Sequence, residues 1–172
     1  VPVDLKEKKL GDGTDYKKIN PKGYVPFIET DDGKGLSECG TILQYLADRH
    51  PKAGLAPANG TAERYELQEW LSFIGSELHK NLPPLFLPTI PDDYRPVARA
   101  RLAQRLDYMN DALKGRDYLM GDKFSVADAY ACAVLNWTRP AKYDLSAHPN
   151  VAAYYERLCA RDSVKAAQAA EA

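Results

Sequence analysis

The 172-residue sequence predicts an α+β protein, and three observations carry that reading. Strand alternation and turn signals are confined to roughly the first third. Helical apolar periodicity fills the rest. Between them, Pro51-Lys52-Ala53-Gly54-Leu55-Ala56-Pro57-Ala58-Asn59-Gly60 combines two prolines and two glycines with little periodicity, which is linker chemistry. The expected division is therefore 1–51, a linker over 52–60, and an all-helical domain over 61–172.

Residues 1 to 5 alternate weakly and read as one strand. Val25 to Glu29 and Leu36 flank Asp31-Asp32-Gly33-Lys34-Gly35, whose glycines permit the positive φ of a hairpin turn. Pro26 has no N–H for a ladder, so that position requires an edge, a bulge or a cis bond. From Thr41 to Arg49, Ile42, Leu43, Tyr45 and Leu46 recur at helical spacing, and Pro51 stops the helix.

Thr61 is placed to cap the next helix, whose stripe of Leu67, Trp70, Leu71, Ile74 and Leu78 runs toward Pro83-Pro84. Another helix begins at Pro96 with Leu102, Leu106, Met109 and Leu113 on one face and Gly115 past its end. Ser125 and Asp128 have capping-box spacing. The following Ala129 to Trp137 is almost wholly apolar, which predicts a central helix. A final helix is expected from Pro149 to Arg161, carrying Val151, Tyr154, Tyr155 and Leu158.

Composition narrows the function classes. The 23 basic and 24 acidic residues leave a net charge of −1, with no global basic field for nucleic acid. No stretch reaches the roughly 18 apolar residues of a spanning helix, and no signal peptide opens the chain, so a cytoplasmic protein with no membrane partner is expected. Cys39, Cys132 and Cys159 are too widely spaced for a zinc site or a CxxC dithiol, so no metal is expected, and Cys132 and Cys159 read as buried packing residues. His50 and His148 each precede a proline and read as boundary residues.

Glu38 and Cys39 fall where the hairpin gives way to a helix. Free N–H groups there can hold a carboxylate and Glu38 an ammonium, which together make an α-amino-acid receptor. Val25 can add backbone hydrogen bonds to an attached peptide. From spacing alone, the same residues read first as a helix cap beside a solvated acid. Further on, Ser72, Ser76 and His79 follow at i, i+4 and i+7 as a polar stripe, with Lys80 beside them either ligand-facing or solvated.

Asn20-Pro21-Lys22-Gly23-Tyr24-Val25-Pro26, Glu38 and Thr41-Ile42-Leu43-Gln44-Tyr45-Leu46-Ala47-Asp48 resemble a glutathione transferase, closest to the bacterial beta class. The resemblance continues through Ala53 to Thr61, Arg64-Tyr65, Glu69-Trp70-Leu71, Glu77-Leu78-His79-Lys80 and the Ser125 to Asp128 box. It implies a thioredoxin-like N-terminal domain, an all-α C-terminal domain, glutathione as cosubstrate with no permanent cofactor, a hydrophobic electrophilic small molecule as second substrate, and a homodimer.

Residue by residue, the resemblance implies that Val25 with cis Pro26 holds the cysteinyl backbone and that Glu38 contacts the γ-glutamyl group. It places Lys8 near the glycyl end, where the residue also reads as a solvated lysine between Lys6 and Lys9. Ser76 and His79 approach glutathione, His79 as an auxiliary hydrogen-bond partner or proton carrier. Ser72 stands where the family has Asn. Cys39 replaces a Ser or Gly as a small residue, keeping its backbone N–H for the γ-glutamyl carboxylate, while the helix N-terminus there can also lower its thiol pKa.

The family's thiol-activating Cys or Ser lies after a first strand that would precede Val1, so a β–α unit of roughly 30 residues is expected before this chain. The expected function is conjugation of the glutathione thiolate to electrophiles, with thiol–disulfide or peroxidase side activity. The alternatives are a noncatalytic binding module of the same fold and a thiol oxidoreductase using Cys39.

Overall fold

A computed structural model describes residues 1–171. Its first segment departs from the single strand expected. β1 (Val3–Asp4) pairs antiparallel with β2 (Lys9–Leu10), Val3 opposite Leu10, so residues 1–10 form a small hairpin. The Asp4 carboxylate closes it by accepting from the N–H groups of Lys6 and Glu7, each at 2.9 Å. A two-residue strand is too short to show a period, which is why Lys9–Leu10 was invisible in the sequence.

The second hairpin is as expected, slightly shorter. β3 (Phe27–Glu29) and β4 (Gly35–Ser37) pair with Phe27 opposite Ser37 and Glu29 opposite Gly35. Gly33, at φ 76°, makes the turn. Gly35 serves a different purpose: the Phe27 ring lies over it, and a Cβ there would overlap the ring. The two hairpins are separate two-stranded sheets among the described residues.

α1 (Cys39–Arg49) starts two residues earlier than its apolar pattern suggests, because Glu38 turns the chain at φ 73° and its carbonyl accepts from Thr41 and Ile42. His50 ends it, a boundary role as expected. α2 (Ala62–Phe73) is capped by the Thr61 hydroxyl, which accepts from the Arg64 N–H at 3.2 Å. The helix then changes gauge. Ile74–Leu78 form a π-helical turn in which the His79 N–H donates to the Ile74 carbonyl at 2.8 Å.

α3 (Arg95–Ala112), α4 (Val126–Leu135) and α5 (Pro149–Cys159) follow as expected, with Gly115 at φ 69° after α3. A further helix, α6 (Asp162–Glu171), extends past the expected end at Arg161. Its alanine-rich run shows no clear apolar stripe, and Val164 is its main anchor on the core.

Leu67, Ile74, Leu78, Leu102, Leu106, Met109, Leu135, Tyr154 and Leu158 are fully buried, so the stripes read from the sequence form one core. α4 lies at its centre, packed on α1, α2 and α5, although Ala133 reaches solvent. Its start is held by a complete capping box. Asp128 accepts from the Ser125 N–H at 2.7 Å and hydroxyl at 2.8 Å, while Ser125 Oγ accepts from the Ala127 N–H.

The strand-bearing and helical parts are joined by a buried arginine. Arg64 donates from both terminal nitrogens to the two carboxylate oxygens of Asp48 on α1, each at 2.8 Å, and also to the Pro57 carbonyl at 2.9 Å. That fork-to-fork geometry ties α1, the connecting segment and α2 together. Cys132 is buried as expected, but Cys159 is only half-buried. No described helix is long and apolar enough to cross a membrane.

Candidate functional site

The turn before β3 is built from the inside. Tyr16 and Asn20 are buried, and both donate to the Tyr24 carbonyl, the phenol at 2.8 Å and the amide at 2.7 Å. They fix the peptide immediately ahead of the Val25–Pro26 bond, which is cis. Val25 itself is 47% exposed. Lys8 folds over the Tyr24 ring, its ammonium 5.4 Å from the ring centre. Lys8 and Val25 therefore flank the same exposed tyrosine.

The ladder carries this turn to Glu38. Since Phe27 opposes Ser37, the cis bond and Glu38 sit one residue beyond the same end of the hairpin. Glu38 occupies the residue before α1 in a left-handed conformation rarely adopted by a non-glycine side chain. Its carboxylate accepts from Lys22 Nζ at 2.6 Å, and that ammonium also donates to Ser37 Oγ at 3.0 Å. The Lys22 contact, assisted by Lys80, holds the Glu38 pKa below its ordinary value.

Burial pushes the Cys39 thiol up to about 11, so it is not the lowered thiol that a helix N-terminus can produce. Its backbone N–H remains in the first turn of α1, while its side chain packs against the core.

The facing wall comes from the π-turn and α4. His79 Nδ1 lies 2.9 Å from the Tyr130 hydroxyl, and the Trp137 ring meets the imidazole edge to face at 4.6 Å. Burial, then the Lys80 charge, keeps the His79 pKa below its ordinary value, so the ring is neutral near pH 7. Burial likewise pushes the Tyr130 phenol up to about 12, with Cys39 and Glu38 close enough to add to the rise. Glu38, Cys39, Tyr130 and His79 thus share one electrostatic neighbourhood.

Comparison with known proteins decides what this arrangement belongs to. Family models described as "Glutathione S-transferase, N-terminal domain" and "Glutathione S-transferase, C-terminal domain" match residues 1–56 and 73–162. The chain is 44% identical over 172 residues to glutathione S-transferase GstA of Escherichia coli O157:H7, covering 99% of this chain and 85% of that protein. It belongs to the glutathione S-transferase family.

Among solved structures, a ternary complex of BphK, a bacterial glutathione S-transferase, is 46% identical and superposes with a TM-score of 0.95, covering 98% of this chain and 84% of that one. A bacterial beta class enzyme of Sphingomonas chungbukensis is 42% identical with a TM-score of 0.92, at the same coverage. A sphingomonad glutathione S-transferase complexed with glutathione is 41% identical with a TM-score of 0.93, again at that coverage. The fold is accordingly that of the family, a small thioredoxin-like N-terminal domain followed by a helical one, with bacterial beta class relatives.

Within this transferase fold the residues singled out from the sequence divide. Val25, Pro26 and Lys8 gather at one turn, and Glu38 and Cys39 at the α1 start opposite His79. Ser72 and Ser76 are both exposed, and the Ser76 hydroxyl donates back to the Ser72 carbonyl at 2.9 Å. Ser125 and Asp128 act as structure. Sequence reasoning missed Lys22 as the partner of Glu38 and Tyr130 as the partner of His79; they lie 16 and 51 residues from those partners, beyond any local pattern.

Proposed function

We propose that this chain binds glutathione in the cleft between the α1 start and the π-turn, and that the bound thiolate attacks a hydrophobic electrophilic small molecule. In this reading Val25 holds the cysteinyl backbone through its own N–H and C=O. Glu38 receives the γ-glutamyl ammonium, sharing or displacing Lys22, and the backbone N–H of Cys39 takes the γ-glutamyl carboxylate. Lys8 lies near the glycyl end, Ser76 at the rim, and His79 beside the sulfur as an auxiliary group. The main thiol-activating group is assigned to no residue of this chain.

The observation that supports the reading best is the meeting of Glu38 and Cys39 with Tyr130 and His79 in one neighbourhood at the hairpin end that carries Val25. Half-buried Phe86 and Trp137, 6.4 Å apart beside His79, offer an apolar seat for the electrophile. The division at 1–51, 52–60 and 61–172, a homodimer and a cytoplasmic setting belong to the same proposal.

Initial rates with reduced glutathione and a chromogenic aryl halide test it. Saturable conjugation is expected, with Glu38→Ala raising the KM for glutathione by roughly tenfold and changing kcat less, the signature of a lost ground-state contact. A rate no faster than the reagents alone would overturn conjugation and leave a noncatalytic binding module. The oxidoreductase reading built on Cys39 is disfavoured by its raised thiol pKa.

A further inference from the structure

The pairing of His79 with Tyr130 has a chemical direction. A phenol carries one hydrogen, and Tyr130 is only 8% exposed, so an acceptor within the protein is the favoured destination of that hydrogen. Among the described residues, the partner that the Tyr130 hydroxyl finds is His79 Nδ1 at 2.9 Å. If the phenol accepted from Nδ1–H instead, its own hydrogen would have no partner among the described residues.

We propose that Tyr130 is a positioning residue: its hydroxyl donates to Nδ1, holds His79 in the tautomer protonated on Nε2, and so presents an N–H donor to the sulfur of bound glutathione. This rests on the glutathione reading above. The donor stabilises the thiolate, and the thiol's own proton leaves to solvent, so His79 need not accept it.

Two further features lock the ring. The π-turn brings His79 out of α-helical phase through its N–H bond to Ile74, and Trp137 meets the ring edge to face. The charged and titratable groups around it are few. Lys80 follows on the same segment, Cys39 and Glu38 approach Tyr130 from α1, and nearby Glu77 is engaged by Arg105 Nε at 2.6 Å. Burial and Lys80 both disfavour imidazolium, which would lose the acceptor that Tyr130 requires.

Heteronuclear NMR of the imidazole nitrogens in the full chain tests the inference without glutathione. The expected spectrum has a protonated Nε2 and a hydrogen-bonded, unprotonated Nδ1. Tyr130→Phe, which keeps the ring, is expected to mix the two tautomers and move the His79 titration toward its ordinary range. With glutathione bound, the ultraviolet titration of its thiol should shift upward by about one pH unit in Tyr130→Phe, about tenfold less thiolate at fixed pH. The glutathione Kd should stay within about twofold, as expected for a group acting through another.

A wild-type spectrum with Nδ1 protonated would overturn the proposal, whether or not the variant folds. A His79 spectrum unchanged in Tyr130→Phe would overturn it as well. Absence of glutathione binding by the wild type would instead remove the glutathione reading, while the NMR result still decides the role of Tyr130.

Discussion

Asp128 shows how much one side chain can organise. It is fully buried, and its two oxygens accept four hydrogen bonds: from the Leu119 N–H, the Ser125 N–H and hydroxyl, and the Tyr154 hydroxyl, all between 2.7 and 2.9 Å. Every donor is itself turned inward, so removing the carboxylate strands several at once. Asp128→Ala is expected to cost on the order of 3 kcal/mol or more in urea unfolding, since each buried donor left unsatisfied costs about 1–3 kcal/mol. Asp128→Asn should cost nearly as much, since an amide can serve only one pair of donors and would turn an N–H₂ toward the other. A loss below about 1 kcal/mol would mean that water replaces the carboxylate. Ser125→Ala, which removes a cap hydroxyl alone, should cost about 1 kcal/mol.

At the scale of elements, the hairpin that carries the site depends on a glycine for packing. Gly35 in β4 leaves room for the Phe27 ring across the ladder, and its backbone is extended, so steric overlap is the cost of a side chain there. Gly35→Ala should displace the Phe27 ring and destabilise the protein by roughly 1 kcal/mol, at the low end for overpacking because the ring can swing outward. The same change should weaken glutathione binding through Glu38, one residue past the ladder. Unchanged stability and binding together would show that the ring moves freely.

The elements also show what was legible beforehand. Leu67, Trp70, Leu71, Ile74 and Leu78 recur with helical spacing and are all buried, so the helix was plain. The π-turn was not, because Ile74 and Leu78 keep an i, i+4 spacing through it and the apolar stripe carries no trace of the extra residue. The Ser125 to Asp128 box was legible because its chemistry is local. Glu38 and Val25 were read from the hairpin-to-helix junction as well as from the family resemblance, and the ladder register places both at the same end of the hairpin. Tyr130 looked like one more core aromatic, since its partner stands 51 residues away and pairs with it only through packing of α4 on the π-turn.

Across the whole molecule, the part that carries Glu38 and the part that carries His79 must stay aligned for the proposed glutathione site to form. Arg64 and Asp48 bridge them with paired bonds at 2.8 Å. Arg64 is 3% exposed while Asp48 is 41% exposed, so the arginine bears the desolvation. Asp48→Ala leaves that guanidinium buried with only the Pro57 carbonyl, and is expected to cost about 2 kcal/mol, less than a fully buried pair because water reaches the vacated side. Arg64→Leu should cost less, as it leaves an exposed carboxylate that water can solvate. The reverse order in thermal or urea unfolding would show that the bridge does not hold a buried charge.

The central claim is that the hairpin end and the π-turn form one glutathione site. Isothermal titration of reduced glutathione into the protein, with Glu38→Ala alongside, addresses it most directly. One site per chain is expected, weakened roughly tenfold in the variant, about 1.4 kcal/mol, near the low end for a hydrogen bond to a charged group. Absence of binding by the wild type, or equal affinity in the two proteins, would contradict it.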